Sequence, residues 1–552
     1  MKKIAVILSL VGVLSACNKF LDMTPRDSIS DKVMWANTQS AEFAVNSIYS
    51  YAYDIYASWP SSVGMTEAFT DELKYGSYVN FAFCLIPSQV AYGGTNLTNS
   101  FVDVYLGCWG SLYSAIRRTN EAIYNLHTLG KGLPETDQAR LEGELRLMRG
   151  WLYFELVKRY KDVIIYDEDL TQIAVNKALS TEADGWKFIA DDLNYAVSVL
   201  PEKAAAKGRL DKGVALALIT RAMLYAGDYD AVIAAADSLK ELGYSLMPDY
   251  ATAFTTPIQA GNTEAILQYS FSYADNVTHD FDFYYAPGGD YKLVGQQGGG
   301  YGTPTQEMVE SYELAAGGLP DWSPWHSSTT AEPPYAQLEP RFHATVLYNG
   351  APWKGRTIEP FVGGTDGWCQ WNKEPQPQGR TTTGYYLRKF VDETHDLTLR
   401  SQSIQHFILL RYGEVLLNKA EACFRKGDTE GANDAVRDIR SRVGLPYSNK
   451  SGDALWQAIR QERRIELAFE GQWYWDLRRW GDAAESYPVG LNNYQVHGLK
   501  IEPTAVDGQY LYTYVSVDDK DRNFPQKMLN RFPIPDAELN SNASVQQYPE
   551  WN

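Results

Sequence analysis

Apolar positions recur three and four residues apart over much of the chain, the period of a helix with one buried face. Residues 40–58 carry Phe43, Ile48, Tyr51 and Ile55 at this spacing, and residues 135–160 set Leu141, Leu145, Met148, Leu152 and Leu156 on one side. The same pattern predicts helices over 101–129, 182–200, 212–226, 229–242, 404–426, 429–443 and 452–480. Another is expected at 304–315, with Thr303 as N-cap and Pro304 in the first turn. Between 248 and 385 the period breaks into Gly, Pro and Thr, and short alternating pieces at 265–269 and 344–348 read as strands. Residues 74–100 and the tail, 486–552, read as irregular.

Two helical stretches share a plan. Residues 212–243 and 413–444 each run an Ala- and Leu-rich helix into a Gly-Asp turn, at Gly227-Asp228 and Gly427-Asp428, and then into a second Ala-bearing helix. Small residues at the crossing let antiparallel helices approach, as in a tetratricopeptide hairpin. Lying 200 residues apart, they form no tandem solenoid, but they can stack in space around inserted loops.

The first residues set the compartment. Lys2 and Lys3 precede an apolar run from Ile4 to Ala16, too short to span a bilayer and typical of a signal peptide. Leu14-Ser15-Ala16-Cys17 then resembles a bacterial lipobox, in which Cys17 becomes a lipidated N-terminus. The expected division is a signal peptide at 1–16, a lipidated tether at 17–30 and one domain over 31–552. Within that domain a helical scaffold covers about 31–247 and 404–485, a loop-rich insertion 248–403, and the irregular tail 486–552. Cys84, Cys108, Cys369 and Cys423 are widely spaced and read as buried thiols. The net charge of −18 repels phosphate backbones, which speaks against nucleic acid as a ligand.

Catalytic patterns are missing from the sequence. The seven His include no HExxH, and no Walker, GxSxG or GxGxxG sequence occurs. Asp71-Glu72 and Asp167-Glu168-Asp169 are carboxylate groups by type only and read as solvated loop acids. The string at 459–480, IRQERRIELAFEGQWYWDLRRW, crowds apolar side chains between alternating charges. It reads as architecture, with buried Arg–Glu pairs holding neighbouring loops. Glu462–Glu466 and Glu466–Glu470 are unfavourable four-apart pairs, and Arg463–Glu466 a favourable three-apart one.

That string, FILLRYGEVLLNKAEAC (407–423) and RFPIPDAELNSNASVQQYPEW (531–551) resemble the SusD/RagB family of surface nutrient-binding lipoproteins. So do LRLMRGWLYFELVKRYKDV (145–163), GRLDKGVALALITRAMLY (208–225), PTQEMVESYE (304–313) and EPRFHATVLYNG (339–350). The resemblance implies a mainly α fold, with tetratricopeptide-like hairpins supporting an irregular, loop-rich half. It also implies a non-enzymatic, lipid-anchored protein on the outer face of the outer membrane. Such a protein binds an oligosaccharide, polysaccharide or peptide and passes it to a SusC-like TonB-dependent transporter. A lipid-anchored glycoside hydrolase is the competing enzyme reading. No cofactor is expected, although Asp275, Asp280 and Asp282 could hold a loop Ca²⁺.

Family sites are aromatic platforms on exposed loops, and flat rings suit the C–H faces of sugars. Trp322, Trp325, Trp353, Trp368 and Trp371 fall within 273–375, with Tyr284, Tyr285, Tyr291 and Tyr301. The segment 74–100 adds Tyr75, Tyr78, Phe81, Phe83 and Tyr92 beside Asn80 and Asn96. The expected ligand contacts are Tyr78, Tyr92, Asn96, Trp322, Trp325 and Trp368.

Overall fold

A computed structural model describes residues 31–57, 65–75, 98–171, 176–205, 207–370, 379–400, 402–481, 494–522, 527 and 530–552. The scaffold is a set of antiparallel helices: α1 (Thr38–Ala57), α2 (Trp109–Leu129), α3 (Glu135–Tyr160), α4 (Glu182–Val199), α5 (Lys212–Ala226) and α6 (Tyr229–Glu241). After the insertion come α8 (Tyr412–Lys426), α9 (Thr429–Arg442), α10 (Gly452–Glu466) and α11 (Trp473–Trp480). The insertion contains one short helix that matters below, α7 (Gln306–Glu310). The strands used here are β1 (Leu73–Tyr75), β2 (Ala265–Tyr269), β3 (Gly302–Pro304), β4 (Ser328–Thr329), β5 (Phe407–Arg411), β6 (His497–Pro503) and β7 (Tyr510–Ser516).

Helix α3 is the axis of the scaffold. Acidic Glu135 and Asp137 stand in its first turn and basic Lys158 and Arg159 in its last, as the helix dipole favours. Its second half is buried all round, from Leu145 to Tyr160 apart from a few half-exposed positions. Arg149 lies inside that core, and its guanidinium grips both Asp192 oxygens, at 2.7 and 2.8 Å, together with Asn120 and Glu168 at 2.8 Å. One side chain thus ties α3 to α4, α2 and the following loop.

The two look-alike hairpins, α5–α6 and α8–α9, pack against each other and share one connection. Gly227 and Gly427 close their helices in the left-handed region, at φ 78° and 80°. Asp228 and Asp428 then cap the next helix, accepting from the Ala231 and Gly431 amides at 3.2 and 2.9 Å. The expectation of stacked hairpins around an insertion therefore holds. The insertion's ends meet where β2 pairs antiparallel with β5, Ala265 opposite Arg411 and Tyr269 opposite Phe407.

Several sequence expectations change. Residues 407–411 form strand β5 rather than the first turn of α8, because a short apolar run buried on both faces fits either element. Thr303 and Pro304 belong to β3, and the N-cap of α7 is Thr305, whose hydroxyl accepts from the Met308 amide at 3.2 Å. The span 452–480 is two helices, broken near Phe469, whose φ is +59°. The tail contains the hairpin β6–β7, to which β4 adds. Beyond it, Phe532, Ile534, Tyr548 and Trp551 return to the scaffold core.

The string at 459–480 is buried architecture, as expected, but its partners differ. Glu462 and Glu466 are bridged by Arg341 of the insertion, which lies 3.1 Å from Glu466 and also holds Glu339 at 2.6 Å. Glu466 and Glu470 are bridged by Arg411, which reaches Glu264 as well, at 2.6–2.7 Å throughout. The unfavourable four-apart pairs are thus answered by cations from other elements. Arg463 turns to Asp476 and to Asn418 at 2.7 Å, not to Glu466. Asp71 and Glu72 are buried, not solvated, and take Arg464 at 2.8 and 3.1 Å. Cys369 and Cys423 are buried free thiols, Cys108 is half-buried, and Cys84 lies outside the described residues. Among the described residues no helix is long and apolar enough to cross a membrane.

Candidate functional site

The insertion and the tail meet at a ribbon. β1 pairs antiparallel with β3, with Lys74 opposite Thr303 and Tyr75 opposite Gly302. The Thr305 amide donates to Glu72 O at 3.0 Å, which fixes the start of α7 on this ribbon. Lys74 Nζ reaches Asp518 Oδ1 at 2.7 Å, and Asp518 also takes Arg522 Nε at 2.8 Å and the Val496 amide at 3.0 Å. Burial pushes the Asp518 carboxyl up, but Arg522 and Lys74 outweigh it and hold it well below the usual range. The two ends of the hairpin β6–β7 are therefore anchored beside α7.

Strand alternation places His497, Leu499 and Ile501 of β6 on one face with Tyr510, Tyr512 and Tyr514 of β7. Leu499, Ile501 and Tyr512 form a small apolar cluster, with Trp325 and Phe361 packed against it. At the end nearest α7 the face becomes polar. The His497 ring stacks on Tyr514, with centroids 4.2 Å apart and planes 13° from parallel. His326 lies against the same Tyr514 at 4.8 Å and 41°.

Each imidazole is held by a carboxylate of α7. His497 Nδ1 is 2.7 Å from Glu307 Oε1, and His326 Nε2 is 2.9 Å from Glu310 Oε1. Glu307 also accepts from the Tyr494 hydroxyl at 2.8 Å and from the His497 amide at 3.0 Å. Gln306 donates to Glu310 at 3.0 Å and accepts from the Tyr385 hydroxyl, which is 2.9 Å from that of Tyr335. Burial raises the Glu310 carboxyl, against the hydrogen bonds from Gln306 and His326. Burial also raises the Tyr494 and Tyr514 hydroxyls, as does the charge of Glu307, so both phenols stay protonated. The result is a wall of flat rings edged with carboxylate, imidazole and phenol groups. Rings of this kind cover apolar C–H surface, and the edge groups give and accept hydrogen bonds.

The expected contacts fall unevenly around this wall. Trp325 is half-buried in it, donating Nε1–H to Ala331 O at 2.9 Å. Trp322 is only 5% exposed and meets Trp325 edge-on at 5.6 Å, so it supports the wall from beneath instead of forming an open platform. Trp368 is half-buried near Lys500, whose Nζ stands 5.6 Å from its ring. Lys500 alternates to the opposite face of β6 from Leu499 and Ile501, so Trp368 belongs to the other side of the hairpin. Tyr78, Tyr92, Asn96 and Cys17 lie outside the described residues, as does Trp371.

Other rings counted in the sequence are packing. Tyr285, Tyr291, Tyr301 and Trp353 are buried, and Trp353 Nε1 donates to Asp290 at 2.8 Å. Asp282 is buried against His395 Nδ1 at 2.7 Å, and among the described residues no cluster of three His, Cys, Asp or Glu could hold a metal ion. The sequence reading missed His326, His497, Glu307, Glu310 and Tyr514. A signal was present: Tyr510, Tyr512 and Tyr514 alternate just after Asp507-Gly508, a strand following a turn.

Residues 263–551 match the model of the SusD family, and residues 19–224 a model described as starch-binding, associating with the outer membrane. A SusD-like protein of Bacteroides ovatus is 24% identical over 529 residues, covering 92% of this chain and 87% of its own. The crystal structure of a SusD-like protein of Bacteroides fragilis superposes with a TM-score of 0.76 at 26% identity, over 96% of this chain and all of its own. A laminarin-binding SusD-like protein superposes with a TM-score of 0.65 at 21% identity, over 93% of this chain and 99% of its own. With the helical scaffold in common and more than half of the sequence matched by one model, the chain belongs to the SusD family.

Proposed function

We propose that this protein captures an oligosaccharide or polysaccharide at the cell surface and delivers it uncut to a SusC-like TonB-dependent transporter. Residues 1–16 direct secretion, and lipid on Cys17 holds the protein to the extracellular face of the outer membrane. The observation that carries the glycan reading is the wall built on Tyr514. Its ring is flanked by His326 and His497, and Glu310 and Glu307 hold those imidazoles at the edge where hydroxyl groups would bind. The starch-binding description of the matched family model and the laminarin-binding structural neighbour support the same class of ligand.

The test is calorimetry of the chain carrying Cys17→Ala against a panel of polysaccharides and peptides, with products assayed in the same samples. Heat of binding with glycans and no released sugar is the expected outcome. Cleavage of a glycan by the purified chain would overturn the capture reading, and binding of peptides alone would replace the cargo.

A further inference from the structure

A second groove opens on the scaffold, away from the hairpin β6–β7. Its cavity volume is about 650 Å³, inside the range of roughly 300–1,000 Å³ typical of small-ligand sites. One bank is the turn Gly317-Gly318-Leu319 of the insertion. Both glycines have positive φ, 91° and 82°, and a Cβ on Gly317 would come within 2.6 Å of Pro446. The opposite bank is α10, which turns Ala454, Gln457, Ala458 and Gln461 toward the groove at helical spacing. The two alanines leave room, and the two glutamines supply amides.

The carboxylates and the guanidinium of the floor are paired with one another, and Lys450 stands exposed at the rim. Arg440 holds Glu313 through both nitrogens, at 2.8 and 3.0 Å, and also takes Glu462 at 2.9 Å. Tyr447 is fixed by its hydroxyl, which donates to Asn433 at 2.8 Å, and its half-exposed ring lines the groove. Gln461 uses its amide nitrogen on Ser311 O at 2.6 Å, so its oxygen remains as an acceptor. Exposed Gln457 adds a whole amide, Ser448 a hydroxyl, and Leu319, 60% exposed, an apolar edge. Neutral amides and hydroxyls beside a ring and small apolar surfaces match a polyhydroxylated ligand, to whose hydroxyls exposed Lys450 at the rim can also donate, while the carboxylates and guanidinium of the floor are already paired.

We propose that this groove is a second glycan site, which takes a neutral oligosaccharide segment separately from the Tyr514 wall. The proposal rests on the glycan reading of the wall for the class of its ligand. Two sites on one chain raise the apparent affinity for a long polymer, since the second contact becomes intramolecular.

Two variants test it. Ala454→Trp fills the groove from an exposed helix position, and Gln457→Ala removes an exposed amide. Calorimetry with maltoheptaose and laminarihexaose is expected to show two sites per chain, and one in Ala454→Trp. Affinity for the parent starch or laminarin is expected to fall on the order of a hundredfold in that variant, with a smaller loss in Gln457→Ala. A single wild-type site that Tyr514→Ala weakens and both groove variants leave untouched would overturn the groove and spare the wall. No heat with any glycan would overturn both.

Discussion

His497 and Tyr514 stack face to face with their ring centroids 4.2 Å apart, joining the first residue of β6 to the fifth of β7. That contact builds the ring wall on which the proposed glycan capture rests. Replacing Tyr514 with Ala is expected to weaken glycan binding about tenfold, or ~1.4 kcal/mol, while Tyr514→Phe keeps most of the affinity. Titration calorimetry reads both, and equal losses in the two variants would show that the hydroxyl, not the ring, is what matters.

Burial pushes the Glu67 carboxyl up to about 7, against the Gly471 amide and Lys389 and with help from the charge of Glu470. One of its oxygens has no partner in the core, as suits a protonated acid. A raised folded-state value means the proton is bound more tightly in the native chain. This contribution to stability is full below about pH 4.5 and is lost as pH rises to about 7. Glu67→Gln is therefore expected to be more stable than the parent at pH 8, by on the order of 3 kcal/mol, with no difference at pH 4. Urea unfolding at the two pH values measures this, and an offset independent of pH would contradict it.

Arg411 is 1% exposed and serves Glu264, Glu466 and Glu470 together. Arg411→Met leaves two buried carboxylates, Glu264 and Glu466, and half-buried Glu470 short of a cation and is expected to cost about 3–5 kcal/mol. Arg411→Lys cannot reproduce the forked contacts and should recover only part of that loss. Guanidinium unfolding midpoints decide the order of the three proteins.

Gly227 and Gly427 share one backbone conformation, and the place where a Cβ would stand is open at both. An alanine there meets backbone strain alone, costing about 1 kcal/mol. The two substitutions should therefore lower the melting temperature by similar amounts. A markedly larger drop at one of them would mean that the hairpins are not equivalent in the folded protein.

Cys17→Ala is expected to release the protein from the membrane fraction with its glycan affinity unchanged. Fractionation followed by calorimetry checks both halves of that statement.

Much of the scaffold was legible because long helices repeat their period many times: α3, α5 and α9 lie within a residue of where the pattern put them. The hairpin β6–β7 was not read, although Tyr510, Tyr512 and Tyr514 alternate, because one seven-residue strand offers few repeats and its partner runs through Gly498 and Pro503. Aromatic composition pointed to the insertion, where Trp325 lies half-buried against the hairpin. It could not separate Trp325 from Trp322, since burial depends on what folds over a ring. Glu307 and Glu310 sat in a segment read for its helix cap, and their role emerged only when His326 and His497 arrived from regions 16 and 190 residues away.

Residues 270–406 leave and re-enter the molecule at the paired strands β2 and β5, about one strand spacing of 4.8 Å apart. A stretch held at so narrow a neck behaves as a cassette. Its length can drift at little entropic cost, because closure of a loop depends only weakly on its size. To keep the helices undisturbed, a replacement must preserve the neck, the short match to β1, the two residues that join β7, and Arg341 and Glu313, which pair with charges of α9 and α10. Such a plan lets one frame vary the surface it presents without having to reinvent how it folds.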